Sequence, residues 1–376
     1  MPAQRQGQRV DAAGVKKKEE NKPPPVIRPS SSIILLSPTN QVLLLRRVQT
    51  SSSFASAHVF PGGNLSSFHD GELPAADGPA MHEDGPAYRL AAVRETFEES
   101  GILLAKKAGQ SREQGLLHVP DEAREAGRRE VHAGRVRFPD WLKSVGGEPN
   151  VDNLIPFTRW ITPPGVGKRF TTQMYLYMLP LSAQALKTVP DPDLLHQETI
   201  IPTPTHDGGL EHTAAAFEDA SVWLERANKG DIILFPPQYY LLHLISEFLR
   251  PSASASPSED YQSQRDALVA FLNKVPTSRQ DREKGKRRRE HDIPWSEKVI
   301  SPTMLSLQRG DGRLVLGLDK PGLELKGSAR GGDWDRVVLV HFRKEGPRNV
   351  EVRWREEVLR EEREREKEAQ SRDAKL

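Results

Sequence analysis

Two uninterrupted apolar runs lie early in the chain, in SSIILLS and QVLLLRR, on either side of Ser-Pro-Thr-Asn. Runs of strand length around a turn tetrapeptide predict a hairpin of buried strands. SAHVFPGGNL follows, a short strand broken by Pro61, Gly62 and Gly63. Residues 64–86, rich in Gly, Pro, Asp and Ala, predict a loop. From Tyr88 to Ser100 the apolar positions recur with helical period, and Gly101 supplies the stop. A polar, charged excursion runs on to Gly147. LIPFTRWITPP and RFTTQMYLYMLP then predict strands, and PPQYYLLHLISEFL predicts an amphipathic helix with Pro237 in its first turn.

From PSASASPSED the composition turns to linker, and a charge run, DREKGKRRRE, lies within it. RLVLGLDKPGLEL through DRVVLVHFRKEGPRNVEVRW predicts several short strands, and WREEVLREEREREKEAQ a charged, exposed helix. The chain therefore divides into a disordered lead-in (1–29), a principal domain (30–250) with 64–86 as an insertion loop, a linker (251–292) and a β-rich extension with a charged tail (293–376).

Composition narrows the function classes. The 376 residues carry 54 Lys+Arg against 52 Asp+Glu, a net charge of +2, which gives no case for a nucleic-acid binder. The run Lys284–Glu290 is the main feature favouring one, yet acids flank it on either side and such runs are usually solvated spacers. The absence of cysteine excludes disulfides, thiol catalysis and Cys-type zinc sites. No apolar run approaches the roughly 18 residues of a membrane span, which predicts a soluble chain. The terminal Ala374, Lys375 and Leu376 stand one conservative step from the Ser-Lys-Leu peroxisomal address and follow the exposed helix. They predict recognition by a peroxisomal import receptor, with cytoplasm or mitochondrion as the alternative location.

The stretch VRETFEESGILL crowds Glu95, Glu98 and Glu99 together. At about 100° per residue, Glu98 and Glu99 fall near −60° and +40° of Glu95, while Leu90, Val93 and Phe97 gather on the opposite side. Ala91 and Ala92 fall on the acid side and leave room for something bulky. Like charges one turn apart repel. One explanation is a solvated face; the other is a hard cation such as Mg²⁺, which takes oxygen ligands and keeps waters for phosphates to displace.

RETFEESGI resembles the second half of the Nudix box: Arg94, Glu95, Glu98, Glu99, Gly101 and Ile102 fill its pattern, with Thr96 at the aliphatic position. Phe60–Gly63 resembles the entry to the same box. Gly63 and Arg94 are 31 positions apart, 17 more than the family spacing, so the box is split by an insertion. The family's first glutamate has no counterpart at the expected spots, Pro86 or His69, and Asp70, Glu72 and Glu83 stand as substitutes. The split box, LLLRR before HVFPGG, and PFTRWITP before RFTTQMYL resemble the coenzyme A diphosphatase-like branch of the family, over roughly residues 30–250.

The resemblance implies an α/β/α Nudix sandwich with a mixed β-sheet. It also implies a pyrophosphohydrolase dependent on Mg²⁺ or Mn²⁺ and acting on a small-molecule nucleotide. Coenzyme A or acyl-CoA is the expected substrate, with ADP-ribose, NADH or non-catalytic nucleotide sensing as alternatives. Glu95, Glu98 and Glu99 are then metal ligands, Glu95 or Glu98 the general base, and Arg94 the group that orients a box glutamate. Gly62, Gly63, Arg46, Arg47 and Arg169 are candidate contacts to substrate, the arginines as phosphate forks. Trp160 reads as core, His58 and His69 as structural, and Glu218 as a cap or exposed carboxylate rather than a metal ligand.

Overall fold

The computed structural model describes residues 25–48, 56–110, 115–181, 212–253, 256–278, 288–307 and 309–373. Strands β1 (Ile27–Leu36) and β2 (Val42–Arg47) form the expected hairpin, in register at Leu36 and Val42. Asn40 takes a left-handed φ of 61° in the turn, and Ser37 Oγ accepts the Gln41 amide at 3.0 Å. Strands β3 (His58–Val59) and β4 (Gly62–Asn64) precede α1 (Pro86–Ser100), where Gly101, at φ 72°, donates its amide to the Phe97 carbonyl. Then come β5 (Ala105–Lys107), α2 (Asp121–His132), α3 (Phe138–Ser144), β6 (Gly147–Pro149), β7 (Ile155–Ile161), β8 (Arg169–Met178) and β9 (His212–Glu218). The chain continues through α4 (Ala220–Lys229), α5 (Pro236–Ser246), α6 (Pro257–Asn273), β10 (Val299–Ile300), β11 (Thr303–Leu305), β12 (Leu314–Leu318), β13 (Asp333–Arg343), β14 (Gly346–Trp354) and α7 (Arg355–Asp373).

The principal sheet runs β10-β7-β8-β1-β2-β3, with β4 also on β1 and β9 also on β2. It is mixed: β1 runs parallel to β8 from Ile27/Arg169 to Leu36/Met178, β10 runs parallel to β7, and the other pairs are antiparallel. Helices cover both faces, which is why Ile33–Leu36 of β1 and Val42–Leu45 of β2 are continuously apolar rather than alternating. Ile33, Leu35, Leu43 and Leu45 pack with α1 and α3, whereas Ile34, Leu36, Val42 and Leu44 pack with α4, α5 and α6. The expected α/β/α sandwich is the fold observed.

Three sequence expectations are revised. The polar excursion before Gly147 contains α2 and α3. Helix α2 buries only Gly127, Arg128 and Val131, too little to print an apolar period, and a side chain at Gly127 would collide with the Trp141 ring. The stretch read as linker contains α6, whose Leu268 and Leu272 join the core. Its buried Arg265 donates to Asn40 Oδ1 and to the carbonyls of Leu179 and Ser37 at 2.7–2.8 Å. Ala91 and Ala92 are fully buried rather than beside open space, so the acid stripe of α1 faces protein.

The C-terminal strands are not a separate body. Val338, Val340 and Val350 pack in the same core as Ile34 and Leu36. Of the basic run, Lys284 to Arg287 lie outside the described residues; Arg288 lies 3.5 Å above the Trp334 ring. The lead-in up to residue 24 and the terminal Ala374, Lys375 and Leu376 also lie outside them. Among the described residues no helix is long and apolar enough to cross a membrane.

Candidate active site

Arg94 is the centre of the site. On the middle of α1, with a side chain only 4% exposed, it forks onto Asp70, Nε to Oδ1 at 2.9 Å and Nη2 to Oδ2 at 2.8 Å. Its Nη1 meets Glu95 Oε1 at 2.8 Å and Glu98 Oε1 at 3.0 Å, and Nη2 also donates to the Asn64 carbonyl. Burial works against the guanidinium, but Glu95, Asp70 and Glu98 together hold its pKa above the ordinary arginine value. A buried cation is tolerated only when every donor finds a partner of this kind.

Asp70 thus emerges from the three substitute acids. It lies seven residues after Gly63, is buried, and also accepts the Ser66 amide at 2.8 Å. Glu72 is exposed, and Glu83 faces Arg330 at 3.6 Å. Asp70 stands one position past the family spacing, too weak a signal to separate it from the other two.

The three glutamates of α1 are held differently. Glu99, buried, accepts the Gly62 amide on Oε2 at 2.7 Å. Glu98 meets His132 Nδ1 at 3.2 Å through Oε2. Burial pushes the Glu98 carboxyl up, but the hydrogen bonds from His132 and Arg94 outweigh it and hold the pKa below the usual value. Burial dominates at Glu95, with Glu98 and Asp70 adding to it, and raises its carboxyl against the pull of Arg94. Its carboxylate lies over Gly63, where a methyl group would stand 2.6 Å from each oxygen. Gly62 and Gly63 are therefore the seat of two glutamates, kept close by the pairing of β4 with Ser31 and Ser32 of β1. His132 went unseen in the sequence because α2 did.

The arginines expected at substrate are dispersed. Arg46 shares the face of Leu44, away from α1. Arg169 is buried, donates to the Thr162 carbonyl and pairs with Glu324 at 2.9 Å. Trp160 is core, edge-on to Tyr240. Glu218 pairs with Arg226 at 2.5 Å, and His69 accepts the Phe138 amide at 3.2 Å.

Among the described residues, no three acidic or histidine side chains stand in an arrangement ready to enclose a metal ion. The donors nevertheless suit a hard divalent cation: all are carboxylate oxygens on adjacent turns, over a glycine cradle that a Cβ would fill. Glu95 is the carboxylate whose burial beside Glu98 a cation would relieve.

The glycine cradle and the acidic helix thus meet on a mixed sheet although Gly63 and Arg94 stand far apart in the sequence. Residues 74–245 match the family model described as the NUDT19 Nudix domain. That stretch, just under half of the chain, is similar to a Nudix domain of the NUDT19 type. It is 31% identical over 174 residues to the acyl-coenzyme A diphosphatase NUDT19 of Gallus gallus, covering 43% of this chain and 41% of that protein. It is 32% identical over 134 residues to the putative nudix hydrolase 7 of Caenorhabditis elegans, covering 36% and 38%. The chain spans less than half the length of the curated relatives it matches. A solved NUDIX hydrolase from Alicyclobacillus acidocaldarius is similar at 21% identity and a TM-score of 0.44, over 62% of this chain and 96% of that one.

Proposed function

We propose that the chain is a pyrophosphohydrolase that cleaves coenzyme A or acyl-CoA, with water, to 3′,5′-ADP and the (acyl-)phosphopantetheine. The observation that carries this reading is the hold on three box carboxylates of one helix: Arg94 pairs with Glu95 and Glu98, the Gly62 amide donates to Glu99, and Glu95 lies over Gly63. The substrate class is supported by the likeness to acyl-CoA diphosphatases.

Glu95, Glu98 and Glu99 would hold Mg²⁺ or Mn²⁺, which when bound neutralises diphosphate charge and acidifies a water. The rest falls to the chain itself. Arg94 and Asp70 fix the direction of Glu95 and Glu98, so their oxygens need no reorganisation when charge develops. The Gly62 amide fixes Glu99. Glu95 or Glu98 is the carboxylate that would take the proton from the attacking water. The terminal Ala374, Lys375 and Leu376 would address the protein to the peroxisome through an import receptor.

The test compares wild type with Glu99→Gln against CoA, acetyl-CoA, ADP-ribose and NADH, with Mg²⁺ and with Mn²⁺, products being separated by chromatography. Gln keeps an acceptor for the Gly62 amide but loses the charge. Release of 3′,5′-ADP by wild type alone supports the reading. Cleavage of another nucleotide only removes the coenzyme A assignment, and binding without cleavage removes the enzyme.

A further inference from the structure

Helix α2, from the charged excursion, grips the box helix at one residue. Arg128, buried, donates from Nε to the Glu98 carbonyl at 2.8 Å, and His132, one turn further on, meets Glu98 Oε2 through Nδ1 at 3.2 Å. Glu98 lies in the last turn of α1, where carbonyls lack helical partners, so the guanidinium stands in for the missing amide. Packing fixes the approach of α2: Gly127 lies against the Trp141 ring, and that ring stacks on Phe97 of α1 at 4.7 Å.

Glu98 is thereby held at both carboxylate oxygens. Arg94 Nη1 donates to Oε1 at 3.0 Å, and because an ionised carboxylate only accepts, His132 donates to Oε2 from Nδ1–H. An ionised carboxylate has about four acceptor positions, so two donors remove its freedom to turn and still leave capacity for a further ligand.

We propose that His132 is a positioning residue of the metal site: it fixes Glu98 Oε2, so that the box carboxylates meet a divalent cation in one prepared arrangement. This inference rests on the metal-dependent reading given above. Partners that orient a metal ligand in this way contribute roughly 10- to 100-fold to metal affinity. A surface ion pair with no such role contributes little to anything, and the His132 side chain is 33% exposed.

Titration of the full chain with Mn²⁺, followed by loss of the free ion's electron paramagnetic resonance signal, tests this without turnover. His132→Ala weakens Mn²⁺ binding about tenfold. Its melting temperature stays near that of wild type, because so exposed a pair adds little to folding. His132→Asn, whose amide Nδ2 takes the place of the imidazole Nδ1, restores the affinity to within about threefold. In a Glu98→Gln background His132→Ala has no further effect, since it acts through that carboxylate. Glu99→Gln, which alters another box ligand, separates the two levels. Equal Mn²⁺ binding by wild type and Glu99→Gln overturns the metal reading and this inference with it. Weakening in Glu99→Gln but not in His132→Ala overturns this inference alone. So does a loss in His132→Ala that Asn leaves uncorrected, or one that persists undiminished in the Glu98→Gln background.

Discussion

Gly63→Ala separates catalysis from folding at a single methyl group. The added Cβ would stand 2.5 Å from Glu95 Cδ and 2.6 Å from each carboxylate oxygen. Ordinary contact is about 3.5 Å, so the carboxylate must retreat by about 1 Å. Gly63 has no positive φ, so alanine introduces no backbone strain, and the atoms in the way are the end of a rotatable chain. What folding loses is at most the Glu95–Arg94 contact at 2.8 Å, a hydrogen bond between charged groups of about 1.5–3 kcal/mol, since Arg94 keeps Asp70 and Glu98. Displacing a positioned group by about 1 Å costs on the order of 100-fold in rate, about 2.7 kcal/mol at the transition state. The measurement is kcat/KM for acyl-CoA hydrolysis beside the melting temperature. Gly62→Ala is the contrast: its Cβ runs into the Ser31 carbonyl and the Ser32 backbone, which cannot rotate away, so stability falls first. Activity of Gly63→Ala within about threefold of wild type would refute the assignment of Glu95, since a shift of that size is not tolerated at a reacting centre. A loss of stability equal to that of Gly62→Ala would refute the steric reasoning.

Asp70→Asn keeps the shape of the Arg94 fork but removes its charge and turns a donor toward a donor. Breaking one partner of a buried pair should cost about 3 kcal/mol, read from urea unfolding, with activity reduced as well. His58 supplies a pH dependence. Burial, then Arg226 and Arg46, lowers its pKa from 6.5 to about 4. The unfolded chain therefore binds the proton first as pH falls, and stability is full above pH 6.5 and declines toward pH 4, by about 3 kcal/mol in all. The slope of unfolding free energy between those pH values should flatten in His58→Gln; an unchanged slope places the titration elsewhere.

What the sequence made legible were the segments whose burial is continuous or periodic. The runs of β1 and β2 read as buried strands because both their faces are covered, and α1 showed itself through its apolar side and Gly101. Helix α2 was hidden because it buries an arginine and a glycine where a readable helix buries leucines. Helix α6 was hidden behind a Ser- and Pro-rich start, and its anchor, Arg265, is a residue type that usually marks surface. At the site, the family pattern located Glu95, Glu98, Glu99 and Arg94, but spacing alone could not pick Asp70 from Glu72 and Glu83. Only the fold brings an acid from the loop under the guanidinium. His132 is of the same kind, 34 residues from the carboxylate it meets.

The insertion itself has a physical account. Gly62 is tied to Glu99, Gly63 lies against Glu95, and Asp70 is forked onto Arg94, so the box is pinned at both ends before the extra residues begin. The added length falls between Asp70 and α1. There, Tyr88 donates to the Met81 carbonyl, Arg159 to that of Glu83 at 2.7 Å, and His82 meets Thr171 at 3.0 Å. Roughly doubling a loop costs only about 0.6 kcal/mol in closure entropy. One hydrogen bond to a charged group, about 1.5–3 kcal/mol, offsets that, and the Asp70 fork supplies two. The spacing between glycine and arginine is therefore free to drift, whereas the acid that meets the arginine is not.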